Sequence, residues 1–150
     1  MRRSRRASCA AGHRAGVDAL ADGEGLARRF GLAVEATFEP SPDQVRLARR
    51  FVVTHVPAPL ADDAAIVASE LVANAIEHAA TPVTVIIDVG PGRTRVEVSD
   101  SSSILPAVRD LLSDGERGRG LHLVERLTSE WGVASSDQGK TVWFEIADSP

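Results

Sequence analysis

Cysteine is nearly absent from this sequence of 150 residues, since Cys9 is the only one. A single cysteine can form neither an intrachain disulfide nor a cysteine-based metal site, which favours a reducing, cytoplasmic location. Long apolar runs are also missing, because no stretch approaches the roughly 18 apolar residues that a transmembrane helix needs. The arginine-rich start is not followed by the apolar core of a signal peptide. We therefore predict a cytoplasmic protein that is not exported.

Charge is unevenly distributed along the chain, which carries a formal net charge of −4. Residues 1–30 contain seven arginines and three acidic residues, a net charge of +4, without sustained apolar periodicity. This composition predicts a disordered basic extension. Residues 31–150 carry a net charge of −8 and are predicted to form one folded domain. An acidic domain argues against nucleic acid as its main ligand.

A central segment, residues 68–79, has the composition of a buried helix, because it is mostly apolar and lacks Gly and Pro. Glu70, Asn74 and His78 are spaced four residues apart and therefore share one face of that helix. One interpretation is a solvated stripe on an amphipathic helix. The other is a site, in which the Asn oxygen holds a hard cation such as Mg²⁺ and Glu70 accepts a proton. The segment alone leaves both interpretations open.

Periodicity and turn residues place helices and strands in blocks rather than in a repeating β-α-β order, which indicates an α+β fold. The predicted order is strand, two helices, hairpin, lid, helix and two strands. The predicted elements are a strand at 32–39, a helix with Ser41 and Gln44 in a capping box, a central helix capped by Asp62, hairpin strands at 83–89 and 93–99, a lid at 107–117, a helix from Gly118, and strands at 131–134 and 140–146.

Three further features could contact a nucleotide. Gly118-Arg119-Gly120 at a helix start presents backbone N–H groups that attract phosphate oxygens, and Arg117 could add charge. Asp100 at a strand end could accept a hydrogen bond from an exocyclic amine, although an Asx-turn with Ser102 is an ordinary alternative. Thr141 is the weakest signal, because threonine is common in strands.

In combination these motifs resemble the GHKL-type ATP-binding (Bergerat) fold. The resemblance is carried by the Glu70-x-x-x-Asn74 helix, Asp100 after a hairpin, Gly118-Arg119-Gly120-Leu121 at a helix start, and Gly139-Lys140-Thr141 on the last strand. Over about residues 36–147 the chain is similar to the single-domain bacterial anti-sigma factor serine/threonine kinases. The resemblance implies a histidine kinase-like ATPase domain at 31–150. Its fold would be a two-layer α/β sandwich whose mixed, mostly antiparallel sheet is covered on one face by helices.

The resemblance also implies a role for each candidate residue. Asn74 would bind the Mg²⁺ that bridges the phosphates of ATP, and Glu70 would be the base that orients the hydroxyl of a protein serine. Asp100 would hydrogen-bond adenine, with Thr141 beside it, and His78 would be structural. The phosphates would be held under the lid by Arg117, Gly118, Arg119, Gly120 and Leu121. The implied partners are a sigma factor and an anti-sigma factor antagonist, with a possible homodimer and no nucleic acid or membrane.

The loop after Asp100 departs from the family pattern, because it reads Ser-Ser-Ser-Ile where the fold usually has an Asp-x-Gly-x-Gly box. Glycines at that place allow unusual backbone angles and close approach to the base. Their absence supports a second function, a non-enzymatic module in which ATP shapes a protein-binding surface. The catalytic half of a histidine kinase ranks lower, because no phosphoacceptor helix pair precedes the first predicted strand. A domain without a ligand also ranks lower, because several ordered motifs coincide.

Overall fold

The computed structural model describes residues 33–102 and 119–148, and for residues 119–122 it describes the backbone alone. The predicted basic extension (1–30), the lid, Arg117 and Gly118 lie outside the described residues. The described strands are β1 (Ala33–Phe38), β2 (Val83–Gly90), β3 (Arg93–Asp100), β4 (Glu130–Ser136) and β5 (Gly139–Ala147), and the helices are α1 (Gln44–His55), α2 (Ala58–Ala79) and α3 (Arg119–Leu127).

The five strands form one sheet in the order β1-β2-β3-β5-β4, and each of the four pairings is antiparallel. The hairpin between β2 and β3 turns at Pro91-Gly92, where the φ of +70° at Gly92 suits a glycine. The predicted α+β class, the hairpin and the order of the described helices and strands are thus confirmed. The sheet is antiparallel throughout the described strands, so the parallel pairing implied by a mixed sheet is not found there.

All three described helices pack on one face of the sheet and enclose the core. Its fully buried members include Ala48, Val52, Ala65, Val67, Ala68 and Val72 from the helices, and Val83, Val85, Ile87, Val96 and Phe144 from the strands. Helix α2 is central, since it contacts both other helices as well as strands β2, β3 and β5. Burial of α2 on several sides explains its nearly continuous apolar sequence.

The predicted capping box at the start of α1 is wrong. The Ser41 hydroxyl donates to the carboxylate of Asp43 instead of capping the helix, and α1 begins at Gln44. Asp43 occupies the N-cap position without a side-chain cap hydrogen bond. A neighbouring carboxylate competed with the backbone N–H groups for the serine hydroxyl, as short polar side chains often do near helix starts.

Asp62 does not cap the central helix either. Helix α2 begins at Ala58, directly after Pro57, and Asp62 is an exposed residue within its second turn. Pro59 is accommodated because the first N–H groups of a helix have no intrahelical acceptor. The helix ends with the apolar segment 68–79, since α2 stops at Ala79 and Ala80 adopts a left-handed φ of 50°. None of the described helices is long and apolar enough to span a membrane.

Candidate nucleotide site

One end of the sheet gathers several of the candidate residues. Asp100 is the last residue of β3, where it lies opposite Val83 at the start of β2 and Lys140 on β5. Helix α2 leads into β2 at this same end, and Thr81 in the connection accepts a hydrogen bond from the backbone N–H of Ser101 at 3.2 Å. The C-terminal end of α2 is therefore held beside the Asp100 end of the sheet.

Glu70 and Asn74 are both half-buried on α2, one helical turn apart. With a rise of 1.5 Å per residue, Asn74 lies about 8 Å and Glu70 about 14 Å from the end of the helix at Ala79. Along the helix axis, Asn74 is therefore the nearer of the two residues to the Asp100 end of the sheet. His78 is exposed in the last turn, outside the core.

Asp100 is buried and its two carboxylate oxygens have different partners. Oδ2 lies 3.0 Å from the ammonium nitrogen of Lys140, and Oδ1 accepts a hydrogen bond from the backbone N–H of Ser102 at 2.9 Å. The Asx-turn with Ser102 is thus formed, and it coexists with a buried ion pair. The side chains of Asp100 and Lys140 are 2% and 5% exposed, so the pair is shielded from water.

Lys140 is the residue of this site that the sequence reasoning missed. The sequence placed it in a turn-and-strand motif beside Thr141, with no indication of a partner. Its contact with Asp100 depends on β5 pairing directly with β3, which places residues 40 positions apart opposite one another. In the sequence, the Gly139-Lys140-Thr141 motif was the only indication that Lys140 lies near the site.

Thr141 lies near Asp100 but points to the other face of the sheet, because successive strand residues alternate. Its hydroxyl is 2.7 Å from that of Ser99, the residue directly opposite on β3. A groove of about 260 Å³ opens at this sheet end. Its lining consists of Pro82, Thr84, Ser99, Asp100, Ser101, Ser136, Gln138, Gly139, Lys140 and Thr141. Asp100 and Thr141 therefore share one groove, which Glu70 and Asn74 do not line.

Gly139 brings the β4–β5 turn close to the end of β3. Its φ is +142°, and a Cβ atom at this position would lie 2.0 Å from the backbone oxygen of Asp100. A side chain is excluded by both the backbone conformation and this contact. Gly139 is therefore required for the approach that pairs Lys140 with Asp100.

Helix α3 begins at Arg119, as the glycine-rich motif predicted, and Val124 buries its side chain in the core. The chain leaves β3 at the Asp100 end and enters β4 at the opposite end, where the N–H of Ser129 donates to the carbonyl of Glu145 at 2.8 Å. The C-terminus of α3 therefore lies near the sheet end opposite to Asp100. Phosphate binding by Arg119, Gly120 and Leu121 stays a prediction, because their side chains are not described.

The donor set fits a magnesium ion that arrives with its nucleotide. Among the described residues no group of three or more His, Cys, Asp or Glu side chains could hold a metal alone. Mg²⁺ is commonly held by one or two protein oxygens together with substrate phosphates. The half-buried carboxamide of Asn74, with Glu70 one turn away, could supply oxygen ligands of that kind.

Comparison with known families identifies the family of this chain. The profile of the histidine kinase-like ATPase domain matches residues 38–146, which is most of the chain. The chain belongs to the histidine kinase-like ATPase family. Domains of this family bind ATP, usually with Mg²⁺. The match includes Glu70, Asn74, Asp100 and the start of α3.

Among solved structures, the chain is similar to a histidine kinase domain from the Erythrobacter litoralis EL346 blue-light activated histidine kinase. The two share 27% sequence identity with a TM-score of 0.49, over 61% of this chain and 46% of that one. The chain thus spans less than half of the length of that structure. No curated protein matches.

Proposed function

We propose that this protein is an ATP-dependent protein serine/threonine kinase that acts as an anti-sigma factor. In this function it phosphorylates an anti-sigma factor antagonist and, in another state, sequesters a sigma factor. The observation that supports the proposal is that α2, which bears Glu70 and Asn74, leads into the Thr81 connection whose hydroxyl is hydrogen-bonded to Ser101, directly after Asp100.

Each group has a defined task in phosphoryl transfer, in which positioning and charge neutralisation supply most of the catalysis. Asp100 accepts a hydrogen bond from the amino group of adenine, and Asn74 contributes an oxygen ligand to Mg²⁺. The metal, when bound with ATP, neutralises phosphate charge. Glu70 accepts the proton of the attacking serine hydroxyl. The serine oxygen bonds to the γ-phosphorus, and the bond between that phosphorus and the departing oxygen of ADP breaks. The backbone N–H groups around Arg119 face the phosphates.

Serine/threonine specificity and the protein partners rest on the sequence resemblance to anti-sigma factor kinases. One feature of the chain supports an acceptor hydroxyl, and another supports a protein partner. Glu70 lies one turn from Asn74, which suits a carboxylate base next to the metal-bound phosphates. The acidic charge of residues 31–150 suits protein partners better than nucleic acid.

Transfer of labelled phosphate from ATP to a candidate antagonist tests the kinase. We expect the wild type and Asp63→Asn to label a serine or threonine of the antagonist, whereas Glu70→Gln does not. Asp63 is a suitable control because it is an exposed acid on the same helix, two turns before Glu70. Equal labelling by Glu70→Gln would contradict the role of Glu70. Sequestration is tested separately, by measuring whether the protein binds a sigma factor in the absence of the antagonist.

The second candidate function is a non-enzymatic module whose protein-binding surface is shaped by ATP. It is favoured by the segment after Asp100, which has no glycine and whose Ser102 N–H is committed to the Asp100 carboxylate. This candidate predicts Mg²⁺-ATP binding by calorimetry, nucleotide-dependent partner binding, and no ADP formation in any combination of partners.

A further inference from the structure

We infer that Lys140 is a positioning residue that makes the nucleotide site selective for a 6-aminopurine. This inference rests on the proposed nucleotide-binding function and adds a residue to it. Lys140 acts through Asp100, whose Oδ2 lies 3.0 Å from its ammonium nitrogen. The contact is buried on both sides, with side-chain exposures of 5% for Lys140 and 2% for Asp100.

The ion pair determines which hydrogen bonds the carboxylate can make. In the ion pair the Asp100 carboxylate accepts hydrogen bonds from the Lys140 ammonium, and an ionised carboxylate can only accept. It therefore attracts the amino group of adenine and repels a 6-keto oxygen, which is also an acceptor. Without the ammonium, Oδ2 loses the contact that holds it, and the carboxylate is free to turn away from the position that suits an amino group.

The ion pair also fixes the orientation of the carboxylate. The Ser102 N–H binds Oδ1 at 2.9 Å and the Lys140 ammonium binds Oδ2, so the group is held from two sides. Within the described part of the chain each carboxylate oxygen makes one of these contacts, and a carboxylate oxygen can accept a second hydrogen bond. In a segment that lacks the glycine box, these two contacts supply the rigidity that a base-recognising carboxylate needs.

The geometry that brings Lys140 to Asp100 is built into the hairpin. Gly139, the residue before Lys140, approaches so closely that a Cβ atom would lie 2.0 Å from the Asp100 backbone oxygen. The Ser99–Thr141 hydroxyl contact at 2.7 Å fixes the next position of the same strand pair. The register of the strands therefore determines where the Lys140 ammonium lies, unlike that of a flexible lysine on the surface.

The test compares Mg²⁺-ATP with Mg²⁺-ITP, which has a 6-keto oxygen in place of the amino group, by calorimetry on the full chain. We expect Lys140→Met to weaken ATP binding about tenfold or more and to bring the ATP-to-ITP preference near unity, because a charge-assisted contact is lost. Lys140→Arg should retain the preference, since the guanidinium can still pair with the carboxylate. Asp137→Asn, an exposed acid in the same hairpin, should behave as the wild type.

Two controls separate positioning from stability. Melting temperature is measured for every variant, and Lys140→Gln, which keeps a neutral donor, replaces Lys140→Met if the latter does not fold. Lower stability with an unchanged ATP-to-ITP preference in either variant would overturn the inference and leave the proposed function intact. Failure of the wild type to bind ATP would overturn both. A reduced preference that Lys140→Arg restores supports the inference.

Discussion

Arg95 on β3 lies directly opposite Glu145 on β5, on the sheet face away from the described helices. Its guanidinium donates to Glu145 at 3.3 Å and to Glu97 at 2.7 Å, and it stacks 3.9 Å from the centre of the Trp143 ring. The Arg95 side chain is only 7% exposed. A second arginine, Arg93, reaches the same Glu145 at 3.0 Å but is 51% exposed. One carboxylate is therefore shared by a buried and an exposed arginine.

This pair of arginines gives a matched test of burial. Arg95→Met should lower the free energy of unfolding by about 3 kcal/mol, because it leaves two carboxylates without their buried counter-ion and removes the ring contact. Arg93→Met should cost less than about 1 kcal/mol, since an exposed ion pair is screened by water. Urea denaturation of both variants measures the difference. Equal losses would show that the burial of Arg95 contributes nothing.

The second prediction concerns the residues that hold the nucleotide. Asn74→Ala and Asp100→Ala should each weaken Mg²⁺-ATP binding by about tenfold or more, because each removes a polar contact that the ligand cannot replace. The Asn74 variant should lose the Mg²⁺ dependence of binding, whereas the Asp100 variant should lose the preference for the adenine base. His78→Ala is the control, since His78 is exposed on the same helix. Retained ATP affinity in both variants would mean that the nucleotide binds elsewhere on the protein.

The third prediction concerns the segment before α1. A hydrogen bond from the Ser41 hydroxyl holds the pKa of the Asp43 carboxyl below its ordinary value of 3.8. Ser41→Ala should therefore raise this pKa toward 3.8, and Ser41→Thr should leave it low, as an NMR titration of the Asp43 carboxyl carbon would show. The pKa of Asp43 is lower in the folded than in the unfolded protein. The contact therefore stabilises the fold at pH values above the unfolded-state pKa, and this stabilisation is lost as the pH falls through the folded-state pKa. An identical pKa in Ser41→Ala would rule out the contact.

The sequence predicted those parts of the fold that depend on local patterns. Alternation in residues 93–99 and the proline and glycine before them were enough to predict the β2–β3 hairpin. Helix starts were less predictable. The Ser41 hydroxyl donates to a neighbouring carboxylate instead of capping a helix, and a proline can begin a helix as well as end one.

The candidate site was only partly predictable for a related reason. The helical spacing of Glu70 and Asn74 is local, and the structure places both on the half-buried side of α2. The partner of Asp100 is not local, since it depends on β5 pairing with β3 although β4 comes before β5 in the chain. No pattern within either strand specifies that order, so the ion pair with Lys140 could be found only in the folded protein.

The fourth prediction uses two glycines with left-handed φ in turns between paired strands. Gly139→Ala should lower the free energy of unfolding by more than about 2 kcal/mol, because its Cβ would lie 2.0 Å from the Asp100 backbone oxygen in addition to straining the backbone. Gly92→Ala should cost about 1 kcal/mol, since its φ of +70° is unfavourable for alanine but no atom lies within 4 Å of the new Cβ.

The two variants should differ more in ligand binding than in stability. Gly139→Ala displaces the end of β3 that carries Asp100, so ATP affinity should fall in the fraction of protein that remains folded, as calorimetry below the melting temperature would measure. Gly92 turns the chain at the opposite end of β3, so Gly92→Ala should bind ATP as the wild type does. Loss of ATP binding in both variants would mean that global loosening of the sheet, rather than the position of Asp100, controls the site.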